Sequence, residues 1–149
     1  WANSLFMVVA DHESRVSGEG IVPIFSFRIP AFIAGGPVQP QVVSRLASQI
    51  DLLPTALSMM GVKADIPATG TDQTRKDLVG PGLAIMQFND TAAYRVGDEV
   101  VILAPGQAPS QFRVNDQTLV PVAVDTELVR DAQATTQLPV IAYKRGWYR

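Results

Sequence analysis

The sequence predicts an α/β fold, and three observations carry that expectation. Leu5 to Ala10 is continuously apolar with two adjacent valines, the pattern of a short strand covered on both faces in a sheet flanked by helices. From Ser48 the apolar spacing changes to a helical period. From residue 83 onward, short β-rich segments alternate with turn residues. A chain of 149 residues with 47% hydrophobic content has material for one globular core and too little for two full-sized domains. The expected division is residues 1–82 as part of an α/β unit and 83–149 as a small antiparallel sheet with a C-terminal helix.

The first strand runs directly into Asp11 and His12, then into a polar loop, "DHESRVSGEG", marked by Gly18 and Gly20. Ligand and catalytic groups of open α/β sheets gather where strands end and loops begin. A second strand is expected in "PAFIAGG", stopped by Gly35, Gly36 and Pro37. In "SQIDLLPTALSMMGV", Ile50, Leu53, Leu57 and Met60 recur at spacings of three and four, the apolar face of a helix. Asp51 suits its N-cap or first turn, Pro54 is tolerated only near its start, and Gly61 falls where a C′ glycine belongs. Residues 63–82 read as an irregular connection with one helical turn around Gln73–Leu78.

The segments "LAIMQF", "AAYRV", "EVVILA", "SQFRV" and "QTLVPV" then predict an antiparallel meander, its tightest hairpin at Val96-Gly97-Asp98-Glu99. In "DTELVRDAQATTQLPVIAYKR", Asp125 or Thr126 is the expected cap. Leu128, Ala132 and Thr135 or Thr136 share one side, and Pro139 is expected to end or kink the helix. Tyr94, Phe112, Tyr143, Trp147 and Tyr148 are expected as core and helix-packing aromatics.

Composition narrows the chemistry. Lys+Arg 12 against Asp+Glu 14 gives a net charge of −2, without the basic field that nucleic-acid binding needs. No apolar run approaches the roughly 20 residues of a membrane-spanning helix, since Pro23, Arg28 and Pro30 break "GIVPIFSFRIPAFIAGG". Zero cysteines exclude disulfides and thiolate metal sites. Trp1 opens the chain with neither an initiator Met nor a basic n-region, so a piece of a longer protein is expected.

Asp11 and His12 are the one arrangement that suggests catalysis, since a carboxylate and a neutral imidazole both ligate Mn²⁺ or Zn²⁺. Two ligands are fewer than a catalytic divalent site uses, and His12 is the only histidine. A plain surface pair is the alternative. Arg15, in the same loop, suits a phosphate or sulfate oxygen, or more simply pairs with Glu13 or Glu19. No "GxSxG" elbow or phosphate-loop glycine pattern is present.

The segments "FMVVADHESRV", "VPIFSFRIPAFIAGGPVQP", "SRLASQIDLLPTALSMMGV", "GTD" and "PGLAIMQFND", in that order, resemble the C-terminal part of sulfatase-like proteins of the alkaline phosphatase superfamily. More narrowly they resemble the lipoteichoic acid synthase family of phosphoglycerol transferases. The likeness is strongest over residues 5–90. It implies a bacterial cell-envelope enzyme, anchored by N-terminal helices absent here, with an extracytoplasmic domain that binds a divalent cation. Mn²⁺ or Mg²⁺ is the first expectation, Ca²⁺ or Zn²⁺ the alternative. The implied partners are a phospholipid head group, or another phosphate or sulfate ester, and the N-terminal half of the same domain, with membrane contact only through the absent helices.

Residue by residue, Asp11 and His12 match the family's Asp-His metal-ligand pair, and Arg15 is the implied substrate contact. Ser48, Gln49, Asp51, Pro54 and Thr55 match "SQ-D--PT", read as the structural start of a helix beside the site. The family's threonine nucleophile, its companion acidic ligand and a further histidine have no counterpart here, so no catalytic residue is assigned and the chain alone is expected to be inactive. Leu83 stands where related sequences often carry Arg after Pro-Gly. A sulfatase-like pseudoenzyme, or an interaction module binding lipid or a protein, is the alternative function.

Overall fold

A computed structural model describes residues 1–12, 22–36 and 38–147. It shows the expected α/β architecture: a two-stranded antiparallel sheet, a short helix, a five-stranded antiparallel meander and a long C-terminal helix.

Strand β1 (Phe6–Val9) pairs with β2 (Ala31–Ala34), Phe6 opposite Ala34 and Val9 opposite Ala31. The hydrogen bond from Ala10 N to Pro30 O, 3.1 Å, carries the pairing one step further. Gly35 closes it because its φ is +98° and a Cβ there would lie 2.4 Å from Ser4 O. The expectation that this strand is covered on both faces is not met. Phe6 and Val8 are each 50% exposed and Phe32 is 60% exposed. These three share one face of a ribbon only two strands wide, and among the described residues only Trp1 stacks on it, 5.7 Å from the Phe6 ring.

Ser48 caps a 3₁₀ turn, Gln49–Asp51, that leads into α1 (Leu52–Met59). The two residues form a reciprocal capping box, with Ser48 N donating to Asp51 Oδ2 at 2.8 Å. Gly61, at φ +69°, ends α1 as expected: its N–H donates to Ser58 O and that of Val62 to Leu57 O, a Schellman arrangement. The expected burial is reversed, however. Ile50, Leu53 and Met60 are exposed, while Asp51 and Thr55 are buried. The loop carrying Thr71 and Gln73 lies on the polar side of α1 and satisfies those two side chains.

The helical turn expected around Gln73–Leu78 does not form. Asp72 Oδ1 accepts from both Thr74 N (2.8 Å) and Thr74 Oγ1 (2.7 Å), and Gln73 N donates to Thr55 Oγ1. These side-chain bonds satisfy backbone donors that a helix would have used.

The meander follows the predicted segments closely: β3 (Leu83–Phe88), β4 (Thr91–Val96), β5 (Glu99–Leu103), β6 (Ser110–Asn115) and β7 (Thr118–Val122), paired in chain order. Val96 faces Glu99 across the expected hairpin, with Gly97 at φ +58°. Both faces of its centre are covered. On one, Met86, Ala93, Val100 and Ile102 pack with Val22 and Ile24 from the segment after the first loop. On the other, Tyr94 and Val101 meet Leu128, Val129 and Ala132 of α2 (Thr126–Lys144). Burial lifts the Tyr94 phenol above its ordinary pKa, the Asp131 carboxylate adds to that, and the Thr135 hydroxyl opposes it. The continuous run Val100-Val101-Ile102 is thus the doubly covered strand.

Asp125 is the N-cap of α2, its Oδ1 accepting from Glu127 N at 2.9 Å and Leu128 N at 3.4 Å. Pro139 does not end the helix, which continues to Lys144. The ring removes only one N–H from a helix that is well capped at both ends. Tyr143 is 79% and Trp147 49% exposed, so neither is the core residue expected; Tyr148 lies outside the described residues.

Candidate metal site

The ladder between β1 and β2 ends at Ala10, and the chain leaves it at Asp11 and His12. Both side chains are open to solvent. Asp11 Oδ1 accepts from His12 N at 2.9 Å, and Asp11 Oδ2 lies 3.4 Å from His12 Nε2. Two donors each about 2.1 Å from one ion can stand that far apart. The carboxylate and imidazole therefore fit a divalent cation in donor type and in spacing. Among the described residues no group of three or more His, Cys, Asp or Glu side chains gathers to hold a metal. Further ligands would have to come from beyond those residues. Arg15, the expected anion contact, lies outside them.

The position of this pair is set from the 3₁₀ turn that precedes α1. Gln49 Nε2 donates to Ala10 O at 2.9 Å and reaches Asp11 O at 3.5 Å, fastening the strand exit to the 3₁₀ turn. Asp51 then fixes the turn itself. Its buried carboxylate accepts from Ser48 N at 2.8 Å, Thr71 N at 2.7 Å and Gln73 Nε2 at 3.1 Å. Gly70 lets the loop come this close, since a Cβ there would lie 2.0 Å from Ile50 O. The same segment is joined to the meander. Leu46 N donates to Pro81 O at 2.8 Å, Leu46 bridges Gly82, and Ser48 Oγ accepts from Ile85 N at 2.8 Å.

The sequence placed Gln49 in a helix-starting segment and gave its carboxamide no task. Its contact with the strand exit spans 38 residues and follows no period that a sequence pattern could reveal. The role of Asp51 was half visible, because its capping-box spacing to Ser48 is local whereas its bonds to Thr71 and Gln73 are not.

No family model matches the chain. Among solved structures, it is similar to a protein in the alkaline phosphatase superfamily from Vibrio parahaemolyticus. The two are 37% identical with a TM-score of 0.92 over 99% of this chain. The chain spans 37% of the length of that protein. Its fold is that of a portion of an alkaline phosphatase superfamily protein.

Proposed function

We propose that this chain is part of a metal-dependent enzyme of the alkaline phosphatase superfamily that transfers or hydrolyses phosphate or sulfate esters, and that Asp11 and His12 are two of its metal ligands. The observation that carries this reading is the strand-end pair, a carboxylate and an imidazole 3.4 Å apart. It is supported by the 37% identity to a superfamily protein. Asp11 and His12 would hold the cation, and Gln49 would hold the backbone that presents them. A bound divalent cation supplies Lewis acidity to the ester oxygen and favours the deprotonated nucleophile. Arg15 would pair with the oxyanion of the substrate.

In its finer form the reading is a phosphoglycerol transferase of the bacterial cell envelope with Mn²⁺ or Mg²⁺, acting on phospholipid head groups outside the cytoplasmic membrane. The resemblance of "FMVVADHESRV" and "SQIDLLPT" to the lipoteichoic acid synthase family supports it. The nucleophile and remaining ligands would come from the N-terminal half of the same domain, and membrane anchoring from helices preceding it. Among the described residues no helix is long and apolar enough to cross a membrane.

The test uses the full-length protein. Asp11→Ala and His12→Ala should each abolish turnover and weaken Mn²⁺ binding in calorimetric titration, with thermal unfolding unchanged. Full turnover of either variant at saturating metal would remove these residues from the site.

A further inference from the structure

The C-terminal half of α2 outruns the sheet it packs on. Leu128, Val129 and Ala132 meet the meander, but residues 137–145 are exposed with the single exception of Ala142. What they expose is apolar: Val140 is 53%, Ile141 39% and Tyr143 79% accessible. Val140 and Tyr143, spaced i, i+3, continue the side of the helix that carries Val129 and Ala132. The stripe that packs on the sheet therefore runs on past it into solvent.

The end of the helix holds an aromatic in a fixed place. Gly146, at φ +68°, is the C′ residue of a Schellman motif in which Gly146 N donates to Tyr143 O and Trp147 N to Ala142 O, both at 3.0 Å. A hydrophobic contact between C″ and C3 frequently accompanies this motif. Ala142 is only 3% exposed, while Trp147 stays half exposed. The Arg145 guanidinium lies 5.8 Å from the Trp147 ring centroid.

Charge then selects the partner. Residues 132–149 carry Lys144, Arg145 and Arg149, and none of the chain's 14 acidic residues. The body of the chain is acidic and this end is basic. Aliphatic side chains, Trp and Tyr rings and basic side chains together on one helix end suit the interface of an anionic bilayer. There the rings sit at head-group level and the cations meet lipid phosphates. A protein groove without acidic residues would suit the apolar residues but leave the cations unpaired, whereas an anionic bilayer meets both.

We propose that the C-terminal end of α2, through Val140, Tyr143, Lys144, Arg145 and Trp147, docks on the surface of an anionic lipid bilayer. This contact is peripheral and separate from any anchoring helix. It does not rest on the metal-site reading, because a chain with Asp11 and His12 both replaced should dock equally well.

The test is vesicle binding by the 149-residue chain in a Trp1→Phe background, where Trp147 is the only tryptophan. With vesicles containing about one-third phosphatidylglycerol in phosphatidylcholine, the chain should co-sediment, Trp147 emission should shift to the blue, and brominated acyl chains should quench it. Pure phosphatidylcholine should bind at least about tenfold more weakly, and raised salt should weaken binding to the anionic vesicles. The double variant Lys144→Glu/Arg145→Glu, and separately Val140→Ser/Tyr143→Ser, should each lose about tenfold or more in partitioning while unfolding in urea at the parent midpoint. Absence of co-sedimentation with the anionic vesicles would overturn the proposal. So would binding that leaves Trp147 unquenched or is unchanged in both double variants, since the chain would then be docking by another surface.

Discussion

Asp51 is the residue whose removal should reach furthest. Its carboxylate accepts three hydrogen bonds, from Ser48 N, Thr71 N and Gln73 Nε2, at 2.7 to 3.1 Å. Hydrogen bonds to a charged group contribute about 1.5–3 kcal/mol each, and a buried donor left unpaired costs about 1–3 kcal/mol. These donors are only part-buried, so water replaces some of the loss. A total of about 3–5 kcal/mol for Asp51→Ala is then expected. Asp51→Asn keeps one acceptor but turns an NH₂ toward a donor, and should cost about 2 kcal/mol. With a urea m-value of about 1–3 kcal/mol/M, the alanine variant should unfold at a midpoint lower by about 2 M. A domain with total stability of about 5–15 kcal/mol would survive this with little margin. The assay is urea unfolding followed by circular dichroism, with amide exchange at Thr71 as the local readout. If Asp51 acted only as an acidic first-turn residue, its loss would cost about 0.3–1 kcal/mol. A measured cost below 1 kcal/mol, with Thr71 still protected, would refute the three-way tether.

Two further outcomes are expected. Gly82→Ala should destabilise by at least about 2 kcal/mol in the same urea assay, because its φ is +84° and its Cβ would lie 2.1 Å from Leu46 O; a midpoint within error of the parent would show that the Leu46 segment can move aside. Hydrogen bonding from Gln111 first, then from Arg113, holds the Glu99 carboxyl below its ordinary value of 4.5. A depressed folded-state pKa contributes stability that is present above the unfolded value and lost as pH falls through the folded one. Stability should therefore decline below pH 4.5, and Glu99→Gln should flatten that part of the curve. An unchanged acid limb in urea midpoints measured against pH would exclude Glu99 as a source.

How legible each part was in the sequence depends on whether its determinants are local. The meander was readable because strand alternation and turn residues act over two to six positions. Val96 and Glu99 need only Gly97 between them to turn, and Asp125 needs only the next three residues to cap α2. Gln111 was not readable. It is buried, donates to Glu99 Oε2 and accepts from Asp125 N, tying β5 and β6 to the start of the last helix. No periodicity marks a carboxamide for that role. Gln49 and the distant bonds of Asp51 escaped for the same reason. Pro139 misled because a proline is judged by the N–H it lacks, whereas the fate of the helix depends on all its other turns and on the caps at Asp125 and Gly146.

The apolar residues that failed expectation form a group with one cause. Phe6, Val8, Phe32, Ile50, Leu53 and Met60 carry strand and helix periods as regular as those of Val100 or Ala132, yet they are 40% to 60% exposed. An apolar period records that a face is to be covered, and does not record which atoms cover it. In the meander the cover lies within the chain, from α2 on one side and Val22 and Ile24 on the other, so pattern and structure agree. On the ribbon and on α1 the described residues supply little of it. The tether through Gln49 nevertheless holds these two elements together with Asp11 and His12 at their junction, so the placement of the candidate ligands depends on hydrogen bonds made within the chain. It follows that covering the ribbon should stabilise the site without having to rearrange it.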